Sequence, residues 1–141
     1  MNLADIYKYV IAKWNANFAL SPYTLYAYEV PEGQCHPVCS YNLVNNNRQF
    51  TTCRAMDTFY LQLNVFTTDE QMSTGLALRD EIVRWFEKDS ATGSEYHIEM
   101  ISVINTGHIR DFINKGHHFF VELEIWTDDT DEYYESSSSS S

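Results

Sequence analysis

The segment that decides the fold is FYLQLNVFTTDEQMSTGLALRDEIVRWFE, residues 59–87. Its first part alternates apolar and other side chains, which predicts a strand over residues 58–67. Its second part has apolar side chains at helical spacing, which predicts a helix over about residues 70–88, capped by Thr68 or Asp69. The buried face expected for this helix consists of Met72, Leu76, Ile82, Val83 and Phe86.

The end of this strand has a second copy near the C-terminus. LQLNVFTTD, residues 61–69, and VELEIWTDD, residues 121–129, both alternate, pass through an aromatic residue and a threonine, and end on aspartate. Each strand therefore has one aliphatic face for a core and one face left over. The leftover faces carry Tyr60, Gln62, Asn64, Phe66, Phe120, Glu122, Glu124 and Trp126. We expect either a solvated sheet surface or a subunit interface with aromatic anchors.

The flanking segments complete an α+β pattern. An amphipathic helix is predicted at residues 3–14, and the remaining strands are predicted at residues 23–30, 97–104 and 119–126. Residues 107–116 are expected to form a polar connection. The order predicts one antiparallel-rich sheet of about four strands, with two helices packed on one face.

Two segments depart from this regular pattern. Residues 31–56 contain prolines, a glycine and three consecutive asparagines, which predict a long, partly extended arm between the first two strands. Residues 128–141 are acidic and then all serine, a composition that does not fold alone. We therefore expect one domain at residues 1–127, followed by an acidic, serine-rich tail.

Charge and hydropathy limit the partners. The net charge is −11, and five of the acids lie beyond Thr127. Without a basic stripe the chain is not expected to grip nucleic acid, although DNA could pass an acidic surface without binding. No apolar run is long enough for a membrane span, and an odd number of cysteines, three, favours a reducing compartment.

The candidate metal ligands are Cys35, His36, Cys39 and Cys53. Their spacing lacks the CxxC pair typical of zinc sites, so a small ligand- or zinc-binding module is kept only as an alternative. His117 and His118 are adjacent on a strand, so their rings should point to opposite faces. No nucleophile motif or phosphate-binding loop is present, and Glu122 and Glu124 lie on an open sheet face without a cleft. We expect no enzymatic activity, metal or cofactor.

Taken together, residues 1–128 resemble the tail terminator (tail completion) proteins of long-tailed bacteriophages. The resemblance rests on the N-terminal helix, PYTLYAYEVPEG (22–33), the strand-to-helix unit at 59–86 and HIEMISVINTGHIRDFINKGHHFFVELEIWTDD (97–129). The cysteine-bearing arm, the long gap at 31–57 and the serine-rich tail depart from the family pattern.

This resemblance implies an α+β subunit of a hexameric ring in the virion, assembled in the host cytoplasm. Such a ring ends polymerisation of the tail tube protein and meets the head-completion or neck proteins. DNA passes through its opening, and neither catalysis nor a cofactor is involved. A different neck or tail-tube protein of the same virion remains a further alternative.

Overall fold

The computed structural model describes residues 3–50, 55–87, 98–111 and 115–128. Within these ranges the chain forms two α-helices, five strands and one short 3₁₀ turn. In chain order these are α1 (Leu3–Ala16), β1 (Leu25–Ala27), β2 (Val38–Phe50), β3 (Ala55–Thr68), the turn Asp69–Gln71, α2 (Met72–Phe86), β4 (Ile98–Asp111) and β5 (Gly116–Asp128). The predicted α+β class is confirmed.

The strands form one mixed sheet in the order β1-β2-β3-β5-β4. β1 runs parallel to β2, and every other neighbouring pair is antiparallel. The two strands with the repeated ending, β3 and β5, lie side by side at its centre, with Leu63 opposite Val121. The sheet has five described strands, against about four predicted, because the predicted arm contributes one.

The prediction of a long arm is wrong for residues 38–50, which form β2. Asn45, Asn46 and Asn47 continue the strand, opposite Tyr60, Phe59 and Thr58 of β3. Asparagine has low strand propensity, but pairing along β3 satisfies the backbone of this run and overrides that preference. Only residues 28–37 remain as a connection between β1 and β2.

Two other predicted boundaries and one predicted buried face are corrected. β1 has only three residues, and β4 continues to Asp111 through the first half of the predicted polar connection. A register shift between Val103 and Asn105 breaks the alternation of side chains along β4. The sequence pattern therefore does not predict the second half of this strand. In α2, Met72 is exposed, whereas Gly75 and Leu78 are buried.

Both helices pack on one face of the sheet, as predicted, and we call this the inner face. The Tyr7 ring of α1 lies 4.8 Å from the Tyr41 ring of β2. α2 approaches closely at Gly75, where an added Cβ would lie 2.2 Å from the Phe119 ring. The two helices also contact each other, since the Trp85 indole donates to the Lys13 carbonyl at 2.8 Å. Within the described ranges, neither helix has the length and hydropathy of a membrane span.

Candidate assembly surface

The opposite face of the sheet, which we call the outer face, carries all eight residues that the sequence places on the leftover faces of the two repeated strands. Cross-strand pairing places Gln62 beside Glu122 and Tyr60 beside Glu124. Phe66 lies beside His118 at one end, and Trp126 beside Thr58 at the other. The described side chains on this face include Ser40, Asn42, Tyr60, Gln62, Asn64, Phe66, His118, Phe120, Glu122, Glu124 and Trp126.

A polar network centred on Asn64 holds the middle of the outer face. Its amide nitrogen donates to Asn42 Oδ1 at 2.9 Å and to Ser40 Oγ at 3.3 Å. Its amide oxygen accepts from Gln62 Nε2 at 2.6 Å and lies 2.8 Å from His118 Nε2. Because both ends of the amide are engaged, Asn64 can be buried to 4% exposure without an unpaired polar atom.

His118 links this network to the aromatic end of the face. Its ring stacks on Phe66 with centroids 4.5 Å apart. Burial lowers the pKa of His118, which favours the neutral ring. A neutral ring that donates from Nε2 satisfies the Asn64 oxygen. The sequence places the His118 ring on the face opposite to that of His117 but indicates no partner for it. Ser40 and Asn42 are not predicted on this face, because their strand is expected to be part of the arm.

The other end of the outer face contains a hollow of about 400 Å³. It is lined by Val44 and the run Asn45–Asn47 of β2, by Ile104 of β4, and by Tyr60 and Glu122 between them. Val44 and Ile104 lie where the strand register shifts, and their side chains are 49% and 44% exposed. Beyond this hollow, Trp126 donates its indole N–H to Glu124 Oε1 at 2.6 Å and remains 38% exposed.

A larger cavity of about 960 Å³ lies where the connection at residues 28–36 meets the Phe66 end of the sheet. Tyr28, Val30 and Ile109 contribute apolar surface, and Arg110 and Asp111 contribute charge. Tyr28 and Ile109 are both 53% exposed. Apolar groups remain accessible here, next to the predicted interface.

Phe18 is a separate exposed aromatic on the turn after α1, and its exposure is 97%. The turn is fixed, because Asn17 Oδ1 accepts from the backbone N–H groups of Ala19 at 2.8 Å and Leu20 at 3.0 Å. An aromatic ring held out by a fixed turn is a candidate contact residue. Phe18 belongs to no alternating or helical pattern of apolar residues, so the sequence does not predict it as a contact residue.

The described cysteines do not form the suggested metal site. Cys35 is exposed in the connection, whereas Cys39 is buried on the inner face among core side chains. Burial raises the pKa of the Cys39 thiol to about 12, which disfavours the thiolate that zinc requires. His36 lies in the same connection as Cys35, and Cys53 falls outside the described residues.

Comparison with known proteins shows that the fold of this chain is similar to that of a solved structure. No family model and no curated protein matches the chain. Among solved structures, the chain is similar to a chain of the virion of a native gene transfer agent (GTA) particle. The two share a TM-score of 0.68 and 11% sequence identity, over 84% of this chain and 91% of that chain. At this identity, the similarity shows a shared fold.

Proposed function

We propose that this chain is a virion structural protein of the tail-terminator kind. In this proposal it forms a hexameric ring that caps the completed tail tube and ends polymerisation of the tube protein. The ring then joins the tube to the head-completion or neck proteins.

The observation that carries the proposal is the fold shared with a chain of a virion particle, which extends over most of both chains. The resemblance of residues 1–128 to tail terminators supports the same assignment. The first line compares folds, and the second rests on the order and pattern of sequence segments.

The surfaces of the subunit support assembly into a ring. A ring uses a head-to-tail contact, so each subunit needs two different complementary surfaces. The outer face offers one, with Tyr60, Phe66 and Trp126 as aromatic groups around a fixed polar centre. The helix side offers a second, where Phe18 is 97% exposed.

The charge of the chain is compatible with a passage for DNA. The net charge of the chain is −11, and five of its acids lie beyond Thr127. An acidic wall repels phosphate, so DNA would cross the ring without being retained. The proposal needs neither a catalytic group nor a cofactor.

The test is the assembly state of the purified, tag-free chain, alone and with the tail tube protein of the same virion. We expect six-membered rings in negative-stain images and a hexamer mass by light scattering. Trp126→Ala should raise the protein concentration needed for assembly by roughly tenfold or more, the effect of losing an interface anchor. Met72→Ala is the matched control, because Met72 is 39% exposed but lies on α2.

A chain that stays monomeric with and without the tube protein would overturn the proposal. Subunits that stack into long tubes would instead identify a tail-tube protein. Unchanged assembly in Trp126→Ala, Tyr60→Ala and Phe66→Ala would remove the outer face from the subunit interface while leaving the ring itself intact.

A further inference from the structure

Two histidines from neighbouring strands face each other at the end of the inner face. His108 of β4 is paired with Phe119, and His117 of β5 lies two residues before Phe119. The imidazoles are therefore diagonal cross-strand neighbours on one face. His108 Nε2 lies 2.6 Å from His117 Nδ1. The His108 ring is also stacked on Phe119, with centroids 4.3 Å apart.

Asp69, at the start of the turn before α2, lies close to one of these rings. Its Oδ1 lies 3.3 Å from His117 Nε2, and its Oδ2 accepts from Arg110 Nη2 at 2.9 Å. A carboxylate at Nε2 favours the tautomer that carries its hydrogen there. The lone pair of His117 Nδ1 is then directed at His108 Nε2.

We propose that His108 Nε2 and His117 Nδ1 together bind one divalent transition-metal ion of the zinc, nickel or copper type, with Asp69 as the positioning residue. Imidazole nitrogen is a preferred ligand for these ions. A carboxylate that accepts from the far nitrogen of a ligating histidine is the usual support of such sites. This inference is independent of the proposed ring function.

The geometry needs a small adjustment to admit an ion. Zinc–nitrogen bonds of about 2.0–2.1 Å in a tetrahedral site separate two ligand nitrogens by about 3.3 Å. The nitrogens must therefore move apart from their present 2.6 Å. His108 is exposed, so its ring can shift towards solvent while keeping its stack on Phe119.

The protein supplies an incomplete coordination shell. No group of three or more His, Cys, Asp or Glu within the described ranges could hold a metal. Water would complete the shell on the exposed side of His108. Arg79 and Arg110 add positive charge nearby, and Asp69 offsets part of it, so we expect a weaker site than a closed structural zinc centre.

A bound ion would link β4 to β5 near the turn that precedes α2. Because the ion binds the folded chain, it shifts the unfolding equilibrium towards the native state. At a free metal concentration about 100 times the dissociation constant, this shift is about 100-fold. The expected role is structural, and the ion would add to the backbone pairing of Arg110 with His117 and of Asp111 with Gly116.

The first test measures binding with tag-free protein by equilibrium dialysis against Zn²⁺ and, separately, Ni²⁺. We expect about one ion per chain, and no comparable binding of Mg²⁺, which prefers oxygen ligands. His108→Gln and His117→Gln should abolish this binding, and Asp69→Asn should weaken it by about 10–100-fold. His118→Gln is the matched control, because the adjacent ring lies on the outer face.

Metal-free thermal unfolding of each variant shows whether lost binding reflects lost folding. Nitrogen NMR of the wild-type imidazoles needs no variant: on addition of Zn²⁺, the signals of His108 Nε2 and His117 Nδ1 should shift together. Wild-type protein that binds no Zn²⁺, or a folded His108→Gln variant that binds as wild type, overturns the proposal. The 2.6 Å contact would then be a hydrogen bond between two neutral rings.

Discussion

Asn64 shows how one side chain shapes the outer face. It is only 4% exposed, and its amide forms hydrogen bonds with side chains from β2, β3 and β5. A buried amide with all partners present fixes the neighbouring strands in one register, because any slip would leave it unpaired. The centre of the outer face is therefore preorganised for contact.

Cys39 and Cys35 should differ sharply in reactivity. With a pKa of about 12, Cys39 has roughly one thiolate in 10⁴ molecules at pH 8, whereas Cys35 is exposed. We expect a thiol reagent at pH 8 to label Cys35 in the native chain and to label Cys39 only after denaturation. Tandem mass spectrometry distinguishes the two sites. Equal labelling of native Cys39 would show that β2 does not bury its thiol.

Among the elements, α2 depends on close approach to β5. Gly75→Ala raises helix propensity by about 1 kcal/mol, but its Cβ would lie 2.2 Å from the buried Phe119 ring. Overpacking costs about 1–3 kcal/mol, which we expect to exceed the gain in helix propensity. The net result should be a loss of about 1 kcal/mol in the free energy of unfolding. Urea denaturation measures this change.

Ser73→Ala is the control for that substitution, because Ser73 is an exposed position of the same helix. It should leave stability unchanged or raise it by a few tenths of a kcal/mol. If Gly75→Ala stabilises the chain as well, α2 does not lie as close to β5 as described.

The hydrogen bonds that Glu81 of α2 accepts from Arg84 and from Asn17, in the turn after α1, should make stability depend on pH. Hydrogen bonds from Arg84 and then Asn17 lower the pKa of Glu81. The unfolded chain therefore binds the proton more readily, so this contribution is present above the ordinary glutamate pKa and is lost as pH falls below it. Between pH 6 and pH 3, Glu81→Gln should lose less stability than wild type. If the stabilities of wild type and Glu81→Gln fall equally over this pH range, Glu81 does not form this contact.

The sequence predicts the central elements well because their periods are strong. The alternation in β3 and β5 predicts both strands and their outward residues, from Tyr60 to Trp126. The 3.6-residue spacing likewise predicts α1 and α2. β3 and β5 share the same sequence pattern because they lie side by side in one sheet and both turn one face towards the helices.

The missed features depend on partners distant in sequence. Asn45–Asn47 become strand only because β3 is there to pair with them. His118 gains its role from Asn64, which lies 54 residues earlier. Phe18 is marked by exposure, which a single sequence does not reveal. The interface role of the outer face remains a prediction. The structure places its residues next to one another, but this arrangement does not show which protein contacts them.

For the whole molecule, the important feature is an uneven distribution of surfaces. Both helices cover the inner face, while the described outer face carries aromatic side chains at both ends and a hollow between Val44 and Ile104. Phe18 projects from the helix side. Unlike surfaces on one subunit favour a head-to-tail contact, which closes into a ring when the rotation permits.

The most direct measurement is the length of tail tubes assembled with and without this protein. Tube protein is allowed to polymerise from a fixed number of initiating complexes, and the chain is added during growth. The account predicts that elongation stops and that electron micrographs show one ring at the growing end of each tube. Tubes that continue to lengthen at the same rate, with no added density at their ends, would contradict it.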